Sequence, residues 1–595
     1  MSALLFKRSQ TVVYLILLIA TASIFSLSGC TSAPDTDDMV EIFTAQEAVS
    51  EATETDSRQS NRGLKAAIQR ILEQPFDSET TSRLVEAELV AYRGDLGRAI
   101  ALYAKEAQEH QDIGLARRYT ELAVASEDPF NFLDSSLLWR ELDPESELAE
   151  RLAITALARM GEVEGAWELI LAKPQNHVSV RVLAAEIFDA KYTPQMIWVA
   201  EQITDTWGQR PNSAELLIAL SILSEGTDQI QAAISYAESA STLQPSNPLP
   251  VRLQVRALLQ SARTEDAIGV ITQFIDSDHS NENDRTLMAR TLASIDQKAA
   301  LPVFLRLADK YPRSSELQLG AGELLLSAQR IEEAEDHYIR LSRTGDHRNV
   351  AYFNLGRISE FRGDLVRARE YYQLVEPGEL EYEAQLRAAL TLADADSHYI
   401  NDQFDALRTQ FPEQSAALYH DQGRLLTSSD RSQQGIAIFS QGLVAHPGNE
   451  ALLYARSVSH EAADNVDQAI ADLREILSAN PDSVSAMNAL GYTLANRTDN
   501  YDEAYQLIMK ALAMNPDDPA IIDSMGWVLY RLGKHEEALQ YLARAHQAMF
   551  DVEIVSHLAE VLVSLNRVDD AKQLIEDSLQ RLPNNEILRT WQQRL

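Results

Sequence analysis

The sequence repeats itself about every 34 residues, and this period limits the fold more than any other feature does. Identical residues lie 34 positions apart in two neighbouring segments: Gly322 and Gly356, Ala334 and Ala368, Tyr338 and Tyr372. The same beat, usually on alanine, runs through Ala99, Leu133, Ala166, Ala200, Ala233, Ala267, Ala300, Ala334, Ala368, Ile400, Gly435, Ala469, Ala504, Ala538 and Ala571. A period of this length predicts around fifteen stacked helical units, in which each unit contacts mainly its neighbours.

The repeated residues resemble the tetratricopeptide repeat (TPR), a helix-turn-helix unit. The resemblance is carried by Leu355-Gly356, Ala368 and Tyr372, by Leu490-Gly491-Tyr492, Ala504, Ala511 and Pro516, and by Gly526-Trp527, Ala538 and Ala545. It covers roughly residues 62–595 and implies an all-α, right-handed superhelical solenoid of antiparallel helix pairs. Small residues in both helices of a pair should let the backbones approach closely. Prolines should end the second helix, because proline cannot continue a helix interior; they are Pro144, Pro245, Pro312, Pro447, Pro481 and Pro516.

The amino-terminal segment has the layout of a secretory signal peptide. Lys7 and Arg8 precede an uncharged apolar run over 11–25, which is shorter than the roughly 20 residues of a membrane span. Leu27-Ser28-Gly29-Cys30 then resembles the bacterial lipobox, and Cys30 is the single cysteine of the chain. The resemblance implies cleavage before Cys30 and lipidation of this residue with acyl chains such as palmitate. Thr31, where an Asp would favour inner-membrane retention, implies the outer membrane, facing the periplasm.

Composition divides the rest of the chain. Residues 30–61 are acidic, rich in Ser and Thr and poor in large apolar side chains, so they predict a flexible tether. The predicted organisation is therefore a lipoprotein signal peptide over 1–29, the tether over 30–61, a degenerate TPR array over 62–310 and a more regular TPR array over 311–595.

Motifs and charge argue against several classes of function. The chain has no P-loop, HExxH zinc pair or GxSxG nucleophile motif, so we expect no enzyme, metal, cofactor or small-molecule substrate. The His-Glu pairs in "SHEAAD" from Ser459 and "KHEEAL" from Lys534 are interpreted as solvated faces of repeat helices. The formal net charge is −37, which disfavours nucleic acid. This charge serves either solubility or the recruitment of basic partners.

The family resemblance also places a binding groove. In TPRs the first helix of each pair lines the concave surface, at positions three before and one, four and five after the recurrent glycine. Carried onto the repeat of Gly491, these positions are Asn488, Tyr492, Ala495 and Asn496, and carried onto the repeat of Gly526 they are Asp523, Trp527, Tyr530 and Arg531. All of these except Ala495 form the predicted protein-binding wall. The alternative is that Tyr492 and Trp527 pack between helices. Weaker candidates elsewhere are Phe353, Arg357, Glu360, Phe361, His420 and Arg424.

Taken together, lipobox and repeats predict a membrane-anchored scaffold or adaptor in the periplasm. The chain resembles the lipoprotein adaptors of periplasmic carboxyl-terminal processing proteases, which implies that it recruits or activates such a protease and presents cell-wall hydrolases to it. A scaffold for exopolysaccharide export or outer-membrane assembly is the alternative. A wall-modifying enzyme is a further one.

Overall fold

The computed structural model describes residues 61–209 and 211–595. The predicted signal peptide, Cys30 and all but the last residue of the predicted tether lie outside these residues. The described residues form α-helices and one short 3-10 turn, Pro412–Gln414, and contain no β-strand. The predicted all-α fold is therefore confirmed.

The described chain divides into two units, which meet in sequence between Leu324 and Leu325. The first unit holds fifteen helices and most of α16. In chain order these helices are α1 Asn61–Leu72, α2 Ser78–Tyr92, α3 Leu96–His110, α4 Ile113–Ala125, α5 Pro129–Leu142, α6 Glu147–Arg159, α7 Val163–Ala172, α8 His177–Asp189, α9 Thr193–Trp207, α10 Ala214–Gly226, α11 Ile230–Leu243, α12 Pro248–Gln260, α13 Thr264–Asp276, α14 Glu282–Ile295, α15 Gln297–Lys310 and α16 Ser315–Ser327.

The second unit continues from the end of α16 to the last residue. Its helices are α17 Ile331–Leu341, α18 Arg348–Phe361, α19 Leu365–Tyr372, α20 Glu381–Leu390, α21 Ser397–Gln410, α22 Ser415–Ser428, α23 Ser432–Ala445, α24 Glu450–Ala462, α25 Val466–Ala479, α26 Val484–Arg497, α27 Tyr501–Met514, α28 Pro519–Arg531, α29 His535–Ala548, α30 Val552–Ser564, α31 Val568–Arg581 and α32 Glu586–Arg594.

The helices from α2 to α31 form fifteen consecutive pairs within the described chain, with α1 and α32 as single helices at its two ends. We call the first and second helix of a pair helix A and helix B. The helix before each of the six recurrent prolines ends two residues ahead of it, as in α25, which ends at Ala479 before Pro481. The expected helix-stopping role of these prolines is thus confirmed, and so is the expected number of units.

Small residues let helix A and helix B of a pair approach closely. A Cβ atom built on Gly356 would lie 2.5 Å from the ring of Tyr372, and one on Gly526 would lie 2.5 Å from Cγ of Leu542. The matching alanines of helix B, such as Ala368 and Ala538, have no exposed surface. A side chain at either glycine would force neighbours apart, at a cost of about 1–3 kcal/mol.

At two of the predicted repeat positions, the buried residue is the one before the residue that the 34-residue spacing predicts. Val199 rather than Ala200 is fully buried, and Phe132 rather than Leu133 is the more buried residue of α5. Both positions fall in the predicted degenerate array, where larger side chains occupy the seam between the helices. None of the described helices combines the length and apolar character that crossing a membrane requires.

Candidate functional site

The predicted wall lies on two consecutive A helices, α26 and α28. The carboxylate of Asp518 caps α28 by accepting from the backbone N–H of Ala520 at 2.9 Å, which fixes where this helix begins. Gly491 and Gly526 pack against helix B of their own pairs, where an added Cβ would lie 2.5 Å from Ile508 and Leu542 respectively. The next residues in the chain, Tyr492 and Trp527, are thereby held at corresponding places on successive helices.

The rings of Tyr492 and Trp527 meet at a histidine that the sequence pattern did not select. The imidazole of His557, on α30, stacks on Trp527 with centroids 4.1 Å apart and an interplanar angle of 20°. The ring of Tyr492 also contacts this imidazole, with centroids 6.0 Å apart. Trp527 also contacts Tyr530, at 5.2 Å between centroids. Three A helices therefore contribute to one aromatic cluster.

Asp523 holds His557 in place. Its Oδ2 lies 2.9 Å from Nδ1 of His557, and the two residues are only 6% and 8% exposed. Burial lowers the pKa of His557, but the carboxylates of Asp523, Glu553 and Asp551, with Asp523 the strongest, together outweigh this effect. The pKa of His557 is therefore raised, which favours an imidazolium beside the Asp523 carboxylate.

Tyr492 connects repeats that are not adjacent. Its hydroxyl donates to Oε1 of Glu553 at 2.5 Å, although the two residues are 61 positions apart in sequence. Burial and the nearby Glu553 carboxylate raise the pKa of Tyr492 well above its ordinary value, so the hydroxyl remains a donor. Thr493, the next residue, donates to Oε1 of Glu461 at 2.7 Å. Two glutamates from different repeats are thus bound to consecutive residues of α26.

The other predicted residues form a second, smaller group. Arg531 donates to the hydroxyl of Tyr501 at 2.6 Å and its guanidinium lies over the same ring, 4.9 Å from the centroid. Arg531 also reaches the backbone oxygen of Asn496 at 3.4 Å. Arg531 therefore contacts both the end of α26 and the first residue of α27, and the residue before it, Tyr530, contacts Trp527.

Two polar atoms of the predicted wall have no hydrogen-bond partner among the residues that the structure describes. These are Oδ1 of Asn488, an acceptor, and Nε1 of Trp527, a donor, and both atoms are shielded from solvent. An unsatisfied buried polar atom costs about 1–3 kcal/mol, and a ligand that supplies its partner recovers that free energy. Their side chains are half-buried, and Trp527 also packs against the apolar core of its repeats. Part of the Trp527 side chain therefore packs in the core, as the alternative interpretation of this residue expected.

Two of the weaker candidates, Glu360 and Phe353, make contacts within the protein. Glu360 accepts from the hydroxyl of Tyr372 at 2.6 Å and from Arg387 at 3.0 Å. Arg387 also lies over the ring of Phe353, at 5.9 Å. Phe361, in contrast, is 66% exposed. These residues lie in α18 and its neighbours, away in sequence from the cluster around His557.

The sequence pattern missed His557, Glu553 and Glu461. His557 stands two residues before Ala559, a small residue of α30, and none of the assigned groove positions has this offset. Glu461 belongs to "SHEAAD", and the interpretation of that pair as a solvated face was wrong, because Glu461 is half-buried and bonded to Thr493. The fourth position after the recurrent small residue is one of the assigned groove positions, and applied to α24 it would have selected Glu461. No signal in the sequence pointed to Glu553.

Helix pairs that recur about every 34 residues are the organisation of tetratricopeptide repeat proteins. A family model described as "Tetratricopeptide repeat" matches residues 297–348 and 454–519. The chain is 31% identical over 491 residues to the TPR repeat-containing protein PA4667 of Pseudomonas aeruginosa, covering 82% of each chain. The chain therefore belongs to the family of TPR repeat-containing proteins.

Solved structures of repeat proteins also align with the chain. The yeast Tom70 structure is 13% identical and covers 71% of this chain and 97% of its own, with a TM-score of 0.34. A tetratricopeptide repeat protein from Parabacteroides merdae is 15% identical and covers 47% of this chain and 98% of its own, with a TM-score of 0.33.

Proposed function

We propose that the protein is a membrane-anchored TPR adaptor that binds protein partners in the periplasm through the A helices of its C-terminal repeats. TPR proteins are generally scaffolds, so the proposal assigns no catalytic step to the chain. The observation that carries the proposal is the pair of unpartnered atoms in one aromatic wall, Asn488 Oδ1 and Trp527 Nε1. An extended peptide offers both a donor and an acceptor at each residue, which these two atoms require.

The wall is tested by Asn488→Ala combined with Trp527→Ala. We expect the double variant to lose partner capture while its far-UV circular dichroism is unchanged. Trp198→Ala is a matched control, because Trp198 is also a half-buried tryptophan of a repeat helix but lies on α9. Loss of helical content in the double variant would show that these side chains serve the core, and retained capture would contradict the proposed wall.

The anchoring part of the proposal concerns Cys30. A single acyl chain holds a protein only marginally at a bilayer, whereas two or more anchor it stably. We expect Cys30→Ser to release the protein from the outer membrane while partner binding by the repeats persists. Fractionation of membranes, followed by immunoblotting, measures this. A variant that remains in the membrane fraction would contradict anchoring by lipid at Cys30.

The proposed partner is a carboxyl-terminal processing protease of the periplasm, together with its cell-wall hydrolase substrates. This part is supported by the resemblance of the lipobox and the repeat array to the adaptors of such proteases. Affinity purification of the tagged full-length protein from membranes should recover the protease. Recovery of envelope-assembly or polysaccharide-export machinery alone would instead favour the alternative scaffold function.

A further inference from the structure

Three carboxylates converge on Tyr492 and its neighbours. Glu461 and Glu553 are bound to the consecutive residues Thr493 and Tyr492, at 2.7 and 2.5 Å, and Asp523 lies behind His557. The α24, α26, α28 and α30 helices thus bring together acids that are far apart in sequence. His557 is the one cationic partner among these contacts, and it is already bound to Asp523.

Glu461 differs from glutamates at the same repeat position. Glu225, Glu360 and Glu461 each stand eight residues before the buried alanine of helix B. Glu225 pairs with Arg256 at 2.6 Å, and Glu360 pairs with Arg387 at 3.0 Å.

Among the described residues, Glu461 forms no ion pair. Its hydrogen-bond donor is the neutral hydroxyl of Thr493. The nearby Arg497 is paired with Asp464. Burial raises the pKa of Glu461, and this effect outweighs the lowering by the Thr493 hydroxyl and by the charge of Arg497.

Aromatic faces lie beside these acids. Tyr492 and Trp527 border His557, and a cation over the face of a tyrosine or tryptophan is attracted by the ring. The unpartnered Oδ1 of Asn488 can accept from a peptide N–H or an ammonium group, and Nε1 of Trp527 can donate to a peptide carbonyl. Carboxylates, aromatic faces and two half-buried side chains with unpartnered polar atoms are therefore brought together.

We propose that this surface binds an extended, basic segment of a protein partner, with a lysine or arginine side chain placed between Glu461 and Glu553 and beside Tyr492. The argument is charge complementarity: the cation supplies Glu461 with the ion pair that Glu225 and Glu360 already have within the chain. The inference rests on the proposed function and specifies the chemistry of the partner. Binding should weaken as ionic strength rises.

The test uses the full-length protein in detergent and a positional-scanning library of acetylated, amidated octapeptides. We expect lysine or arginine to be enriched at one position over norleucine and glutamate. For the best basic peptide, Glu461→Gln combined with Glu553→Gln should weaken affinity about tenfold or more. Fluorescence anisotropy measures this loss. Both replacements keep the shape of the side chain, and Glu553 is exposed, so folding should be preserved.

Glu536→Gln combined with Glu537→Gln is the matched control. It removes the same charge from exposed positions on α29 of the same repeats, and the affinity should remain within about twofold of the wild type. Enrichment of acidic or apolar residues, or equal losses in the two double variants, would overturn the inference. If the purified partner is still captured by Glu461→Gln/Glu553→Gln but lost by Asn488→Ala/Trp527→Ala, the adaptor function stands and the basic-segment inference fails.

Discussion

Two repeats of the protein treat charge at the same A-helix position differently, one around Glu225 in the first unit and one around Glu461 in the second. In the first unit, Glu225 and Arg256 form an ion pair at 2.6 Å in which both side chains are at least 96% buried, and Gln260 adds a hydrogen bond at 2.7 Å. In the second unit, Glu461 occupies the same repeat position but receives only a threonine hydroxyl.

Similar pairs join other A helices of the first unit. Arg118 binds Glu88 at 2.9 Å, and Arg181 binds Glu215 at 2.6 Å. The difference teaches that one repeat position serves two purposes. Where the next repeat supplies a cation, the glutamate fastens neighbouring repeats. Where it supplies Tyr492 instead, the glutamate remains available to a cation from outside.

The largest effect should come from breaking the buried pair of the first unit. Arg256→Ala leaves Glu225 buried without its cation, and we expect a loss of about 3–5 kcal/mol in the free energy of unfolding. Urea unfolding followed by circular dichroism measures this. Arg263→Ala removes an exposed pair with Asp266 and should cost about 0.2–1 kcal/mol. Equal losses in the two variants would contradict a fastening role for Glu225 and Arg256.

A second variant tests whether the repeats around Glu225 and Glu461 can be made alike. Tyr492→Arg places a cation in the repeat after Glu461, at the position that Arg256 occupies after Glu225. The new guanidinium should occupy Glu461 and weaken binding of a lysine-containing peptide about tenfold. Fluorescence anisotropy provides the measurement, and Tyr505→Arg, on α27, is the control. Unchanged affinity in Tyr492→Arg would argue against Glu461 as the site of the bound cation.

The His557–Asp523 pair should make the stability of the second unit dependent on pH. A raised folded-state pKa means that the stabilisation is complete below the unfolded pKa of about 6.5 and is lost as the pH rises through the folded value. Wild-type protein should therefore lose stability above about pH 6.5 relative to His557→Gln, by at most about 1.4 kcal/mol per pH unit. Urea titrations between about pH 6 and 9 measure it.

A matched histidine controls for general effects of pH. His279 is exposed, and His279→Gln should follow the wild-type profile. Parallel pH profiles for wild type and His557→Gln would show that the imidazolium of His557 does not contribute to folding.

The smallest effect should come from Tyr492→Phe. This variant removes the hydroxyl that donates to Glu553 but keeps the ring beside His557. We expect a loss of about 0.5–1.5 kcal/mol in the free energy of unfolding, measured in urea. Tyr505→Phe, a half-buried tyrosine of the next helix, is the comparison. A loss no larger than that of Tyr505→Phe would mean that the Tyr492–Glu553 bond adds nothing to the stability of these repeats.

Much of the fold was predictable because it depends on local spacing. Gly356 and Ala368 are close-packed because small residues recur twelve or thirteen residues apart in the regular repeats, and each of the six recurrent prolines acts on its own neighbours. The burial of Val199 instead of Ala200 was not predictable in this way. Either residue of the Val199-Ala200 pair suits a helix, and packing against the facing helix decides which one is buried.

The candidate site was predictable in part. The repeat register selected Asn488, Tyr492, Asp523 and Trp527, and the structure brings the rings of Tyr492 and Trp527 and the carboxylate of Asp523 to one histidine. That histidine, His557, was missed because it stands outside the four assigned positions. Arg531 was selected, but it binds Tyr501 within the chain.

The sequence by itself determined the helical pairs, their number and the residues that must stay small, because these follow from a period of about 34 residues. Tertiary structure alone decided that Tyr492 meets Glu553, 61 residues later, and that Glu461 meets Thr493. These contacts depend on how successive repeats stack, and side chains from different repeats come within hydrogen-bond distance only once that stacking is set. The physical reason is that periodicity specifies each repeat, whereas a binding surface is shared among several of them.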